Sequence, residues 1–242
     1  MMKTPALSPS CPRQTGFTLV EIAIVLLIVT ILLGGLLPTI SGQIEQRHIN
    51  DTRKQLDEIQ QALIGYAVAN GNLPCPAKSA SDGSEDRNIS GACNKRKGLI
   101  PWSALGVSKL DSWGRIFAYS ATPAYTNSFT KFKLGDPRDI TVMTRDTNGN
   151  LVNLSNNNDV PAVILSYGSN GYGATLDNGT VLPNSSGTNI DEQTNLAVAG
   201  INFVSKDPSN NTVSGGGEFD DIVTWVSPNI LFNRMVSAGK LP

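Results

Sequence analysis

The sequence predicts an α+β chain: a long amino-terminal helix packed on an antiparallel β-sheet head, with a short helix at the carboxyl end. Three observations predict it. An almost unbroken apolar run extends from Ile22 to Leu37. Apolar residues then recur at three- and four-residue spacings as far as Ala67. Beyond Gly98 the chain turns to short strand-like runs separated by turn residues.

The first element is the apolar segment. From Phe17 to Leu37, at about 1.5 Å per residue, a helix crosses a hydrocarbon core of roughly 30 Å. Glu21 is the one carboxylate in it. An ionised side chain in lipid costs on the order of 2.5–3.5 kcal/mol, so such a residue is a functional hypothesis by default. The stretch holds no Lys, Arg or His, and only Thr18 and Thr30 as further polar side chains. The expectation is therefore that the partner of Glu21 comes from outside the segment. Charge alone does not orient the span, because Lys3 and Arg13 precede it while Arg47, Arg53 and Lys54 follow it.

The second element continues the first as one rod. Ile40, Ile44, Ile49, Leu56, Ile59, Leu63 and Ala67 form an apolar stripe with polar residues between them. The helix is expected to end near Asn70-Gly71, because Pro74 and Pro76 cannot continue it. A helix from Phe17 to Val68 would be roughly 75 Å long. His48, the sole histidine, is expected on its solvated face.

The remaining residues, 71–242, suffice for one domain with its own core. The formal net charge of −1 leaves no basic surplus for nucleic acid. Strand candidates are Ile116 to Ser120, Ile140 to Thr144, Leu151 to Leu154, Ala162 to Tyr167, Ile201 to Ser205 and Phe219 to Ser227. Asp146 to Asn150 has its Gly two positions early for an EF-hand loop and reads as a hairpin turn. Gly168 to Gly173 lacks the Lys and trailing hydroxyl of a phosphate loop. Ser227 as N-cap, Pro228 at the first helical position, the stripe Ile230, Leu231 and Met235, and Gly239 beyond the end predict the closing helix. With its one histidine on the rod, the head shows no catalytic constellation.

The sixteen residues before the apolar run are short, polar and Pro-rich, carry no acid and end in Gly16. A secretory signal peptide has the opposite order, with its apolar stretch ahead of the cut. This arrangement resembles the leader of type IV pilins and type II secretion pseudopilins. The resemblance implies cleavage between Gly16 and Phe17 by a prepilin peptidase and methylation of the new Phe17 amine. It implies that Glu21, fifth in the mature chain, meets the terminal ammonium of a neighbouring subunit as a filament grows. An α-amine titrates near pH 8, so opposite charge favours both ionised forms. Pro38, after Gly34 and Gly35, stands where the family bends its helix. The implied fold is pilin-like, and the implied organisation is a leader (1–16), a helix (17–70, with 17–37 transmembrane and 38–70 periplasmic) and a periplasmic head (71–242). Implied partners are the peptidase, other subunits and an inner-membrane assembly platform, with the amino terminus cytoplasmic. The competing expectation is a signal-anchored periplasmic module or enzyme that never polymerises.

With Cys11 lost in the leader, Cys75 and Cys93 remain as an even pair in an oxidising compartment. Bridging them closes a loop of roughly 18 residues, which is worth about 3 kcal/mol in the chain-entropy model. Free thiols or half of a zinc site are the alternatives, and zinc lacks further ligands. Asp111-Ser112-Trp113-Gly114 resembles a turn in the head of the major pseudopilin, in which Asp caps the turn, Trp fills core and Gly allows positive φ. Gly215 to Trp225 is similar to the end of that family's calcium loop. Asp221 and Trp225 fit, Phe219 stands where the family tends to be acidic, and Glu218 and Asp220 are candidate oxygen donors. Carbonyls around Gly168 to Gly173 are expected to complete the shell. Calcium is the only cofactor implied.

Overall fold

The computed structural model describes residues 16–213 and 215–241, without the side chains of residues 33–40. Leader residues 1–15, with Cys11 among them, and the Pro38 side chain therefore lie outside the described residues. The chain divides into two compact units, Met1–Ile44 and Glu45–Pro242.

The first unit carries the start of α1 (Leu19–Asn70), whose backbone stays helical through Pro38. Thr18, just ahead of the helix, accepts the Glu21 N–H on Oγ1 at 3.2 Å. Its own N–H and hydroxyl donate to Glu21 Oε2 at 2.8 and 2.9 Å. This reciprocal capping box satisfies two otherwise orphaned donors at the helix start. The apolar side chains that follow find no cover: large hydrophobic residues from Phe17 to Leu32 are 42% (Val29) to 89% (Leu19) exposed. Among the described residues, no helix is long and apolar enough to cross a membrane. The expected span over 17–37 falls partly on residues whose side chains are not described.

In the second unit, α1 delivers Leu56, Ile59, Leu63 and Ala67 to the core, all fully buried at the expected spacing. It stops where expected. Gly71 takes φ +76° and its N–H closes on the Ala67 carbonyl at 2.7 Å, after which Leu73 bonds across to Tyr125.

The head continues as β1 (Lys97–Leu99), α2 (Trp102–Leu105), β2 (Arg115–Ile116), β3 (Ala118–Ala121), α3 (Pro123–Thr126), β4 (Thr141–Arg145), β5 (Leu151–Asn153), β6 (Ala162–Ser166), β7 (Thr175–Leu176), α4 (Ile190–Leu196), β8 (Asn202–Val204), β9 (Ile222–Val226) and α5 (Pro228–Ser237). Four strands form the main antiparallel sheet in the order β1-β3-β6-β9. Strands β2 and β7 form a small ribbon, and β5-β4-β8 a third sheet.

The third sheet corrects the expectation of purely antiparallel pairing, because β8 runs parallel to β4. The chain between them passes through β5, β6, β7 and α4, the long crossover that a parallel pair requires. The expected Ile116–Ser120 strand is also split. Ile116 pairs with β7, whereas Ala118 pairs with β6.

The main sheet is buried on both faces. Ala162 and Ile164 of β6 join α1 in one cluster with Phe117, Tyr119, Leu231 and Met235. Val163 and Leu165 face the other way and join Val142 of β4 and Phe203 of β8. Burial on both faces explains why β6 reads as a continuous apolar run with no alternation.

Cys75 and Cys93 are joined by a disulfide. The loop it closes reaches α1, where Tyr66 donates its hydroxyl proton to Glu85, and Arg87 bonds Glu85 and the Gly91 carbonyl. At the other end of the chain, α5 buries Leu231 and Met235 but leaves Ile230 48% exposed. Ser227 occupies the N-cap position without a side-chain cap bond, so the preset φ of Pro228 supports that start instead. The helix ends in a Schellman motif: Lys240 N–H bonds Met235, Gly239 N–H bonds Val236, and Gly239 has φ +66°.

Candidate functional site

At the amino-terminal segment, Gly16 and Phe17 are exposed and Thr18 and Glu21 form the helix cap. Thr18 supplies Glu21 with two hydrogen-bond donors from within its own segment. Both are neutral, so the cap satisfies hydrogen bonding and leaves the negative charge unpaired. That distinction separates a structural role from an assembly role.

In the head, Asp111 nucleates the expected turn. Its Oδ1 accepts the N–H groups of Trp113 and Arg115 at 3.0 and 2.9 Å, and Gly114 takes φ +78°. Its Oδ2 accepts the Ser166 hydroxyl at 2.6 Å, and burial pushes its carboxyl above the usual carboxylate range. Trp113 departs from expectation. It is half-buried, not in the core, and its indole N–H meets no acceptor among the described residues. Its ring lies 5.7 Å from His48, so that histidine is also half-buried instead of solvated.

Three carboxylates converge elsewhere in the head. Oxygens of Glu192, Asp220 and Asp221 all lie within 4.8 Å of one another. Glu218 is not among them, because it accepts bonds from Ser186 and Thr188. The Gly168 and Ser169 carbonyls are likewise committed elsewhere, to the Arg115 guanidinium. Glu192, which sequence reading misses, arrives on α4. A legible signal existed: Asn189 stands at the N-cap and Glu192 three residues later, the spacing of a helix start. Asn189 donates to Glu192 at 2.8 Å, which aims the carboxylate inward.

The electrostatics of the cluster follow from burial and like charge. Burial raises Asp220 to about 6, and Glu192 adds to the rise. Burial, then Glu192, holds Asp221 well above its ordinary value. Lys97 offers a nearby positive charge, itself lowered to about 8 by burial and held up in part by Asp221. Many carboxylate oxygens are already engaged: Glu192 accepts Asn170 and the Asp220 N–H, Asp221 accepts Asn195, and Asp220 Oδ2 accepts Ser169 and Asn170. Asp220 Oδ1 is buried and has no partner among the described residues. The all-oxygen donor set and this orphaned acceptor fit a hard divalent cation.

The neighbouring Asp191 is fully buried and pairs with Arg145 and Lys206, both at 2.7 Å. The glycine loop lies directly on it. A Cβ at Gly216 would stand 1.8 Å from Asp191 Oδ2, and one at Gly217 would stand 1.7 Å from the Thr188 carbonyl. Only glycine fits at these two positions, both of which have positive φ.

A family model described as the prokaryotic N-terminal methylation motif matches residues 11–37. No curated protein and no solved structure matches the chain. The chain therefore carries an amino-terminal processing segment of the cleaved and methylated class. That segment is a type IV pilin-like prepilin segment, with Gly16, Phe17 and Glu21 inside the matched residues.

Proposed function

We propose that this protein is a structural filament subunit, cut after Gly16, N-methylated on Phe17 and polymerised through its apolar helix into a type II secretion pseudopilus or type IV pilus-like filament. One observation carries the reading. The methylation-motif segment presents apolar side chains from Phe17 to Leu32 that are exposed among the described residues. Such a surface needs lipid or other copies of the helix around it. The reading places the subunit in the inner membrane before assembly, with the head in the periplasm. The Asp111 turn supports the secretion branch in part, since Asp111 caps it and Gly114 takes positive φ as the resemblance implies, whereas Trp113 lies outside the core. The test is mass spectrometry of the full chain extracted from cells. A mature protein that begins at N-methylated Phe17 is expected; a protein that retains Met1 through Gly16 and stays monomeric overturns the reading and leaves the signal-anchored alternative.

A second reading concerns the head. Glu192, Asp220 and Asp221 would hold calcium, and the observation that favours it is the convergence of their oxygens around the unpartnered Asp220 Oδ1. The bound ion would offset carboxylate repulsion and tie α4 to the approach of β9. Calcium is expected to raise the thermal transition of EDTA-treated protein, and Glu192→Gln or Asp220→Asn to abolish the rise. An unresponsive wild-type protein refutes the site.

A further inference from the structure

The head has an acidic groove at one end of its α1 segment and a basic helix face at the other. The groove, a cavity of about 700 Å³, has Ile49 and Ile222 in its lining. Glu45, Asp57 and Asp207 border it, and none of the three makes an ion pair among the described residues. Against them stands the similarly unpaired Arg53, while Lys206, which also lines the groove, is committed to Asp191. The groove is thus a mixed surface, in which isoleucines stand among polar residues with an excess of carboxylates, and it reaches Asp220 and Asp221 of the carboxylate cluster.

The complementary surface is the outer face of α5. Leu231 and Met235 turn inward, which leaves Ile230, nearly half exposed, one turn before Arg234 on the same side of the helix, with Lys240 just beyond the helix end. Neither Arg234 nor Lys240 makes an ion pair among the described residues. An exposed isoleucine beside two cations complements a groove in which isoleucines stand beside acids.

The two surfaces sit at opposite ends of one strand. Residues Ile222 to Thr224 at the start of β9 line the groove beside Ile49 and Arg53, whereas the Trp225 carbonyl accepts Gln60 further along α1. Helix α5 follows β9, and its Phe232 lies beside Tyr125 and Phe132. That cluster is tied to the end of α1, since Lys131 donates to the Asn70 carbonyl. From Arg53 to Asn70 the helix rises about 25 Å at 1.5 Å per residue.

We infer that the acidic groove of one head receives the basic face of α5 from a second copy of this chain. The inference rests on the filament reading and specifies the head-to-head contact within it. The two patches differ and lie far apart, so joining one to the other is a heterologous contact. Repeated without closure, such a contact generates an open helical stack. Charge also fits an antiparallel pair of heads, but that pair stops at two copies, and the experiment separates the outcomes.

The test uses the full-length chain in membranes with Asp207→Cys and Lys240→Cys combined in a Cys11→Ser background, because the native Cys75 and Cys93 are already bonded to each other. Mild oxidation is expected to give a ladder of dimers, trimers and longer species that requires both cysteines. Separately, Asp57→Lys with Asp207→Lys, or Arg234→Glu with Lys240→Glu, should cut the assembled fraction about tenfold, with like charges now opposed. The four changes combined in one chain should restore it, a rescue that no folding defect would produce. Filaments that form without the ladder and ignore the reversals overturn this contact and leave the filament reading standing. A product that stops at dimers overturns the stacked geometry. Wild-type chains that never assemble overturn both.

Discussion

Asp191 shows how a single buried carboxylate organises the glycine loop. Burial pushes its carboxyl up, but hydrogen bonds from Arg145 and Lys206 more than offset this, so its pKa stands below the ordinary value. Arg145 also donates to the Gly149 carbonyl and Lys206 to that of Gly217, so one anion fixes two loops. Asp191→Asn leaves two cations facing a neutral amide. Breaking such a buried pair is expected to cost about 3 kcal/mol at pH 7. The pH dependence has a definite sign. A carboxyl whose folded pKa is depressed contributes stability above its unfolded pKa, near 3.8, and loses it as pH falls through the lower folded value. Denaturant unfolding of wild type and Asp191→Asn should therefore differ most at neutral pH and converge in acid below about pH 4. A constant difference across that range would show that the carboxylate acts through shape alone.

The elements divide by how local their causes are. Helix α1 was legible because its second-half stripe, Leu56, Ile59, Leu63 and Ala67, and its stop at Gly71 are written within a few residues of one another. The same holds for the Gly149 hairpin, where Asp146 Oδ1 accepts the N–H groups of Asn148 and Asn150 at 2.9 and 2.8 Å. It holds too for α5 and its Schellman end. Strands β1 and β7 were not legible, since Lys97–Leu99 and Thr175–Leu176 are too short to show alternation and exist only through pairing with distant partners. Parallel pairing of β8 with β4 has no local signature either. The carboxylate cluster was half legible for the same reason. Asp220 and Asp221 adjoin the recognisable glycine loop, whereas Glu192 comes from a separate helix and displaces the sequence-adjacent Glu218. Trp113 was misjudged as core because its type signals burial, while its place beside His48 depends on where α1 passes the turn.

At the scale of the whole molecule, the tension is between the exposed apolar surface of the first unit and Glu21, the one charge it carries, which the proposed filament would resolve. The Thr18 cap satisfies Glu21 with neutral donors, so it stabilises the helix start without neutralising the carboxylate. Two substitutions separate these roles. Glu21→Gln keeps a residue that serves the capping box at this position but removes the charge, whereas Glu21→Ala removes both. If the cap alone mattered, Gln would behave as wild type. If a neighbour's terminal ammonium must neutralise the charge, Gln and Ala fail alike. An ionised acid costs a lone subunit about 2.5–3.5 kcal/mol in lipid, and its removal erases that incentive to associate. Since about 1.4 kcal/mol is a factor of ten, filament incorporation should fall by roughly two orders of magnitude in both variants. Cleavage after Gly16 should proceed in each, because the cut lies outside the pairing. Immunoblots of sheared filaments against membrane-retained mature protein measure the ratio, and wild-type incorporation by Glu21→Gln would assign Glu21 to helix capping alone.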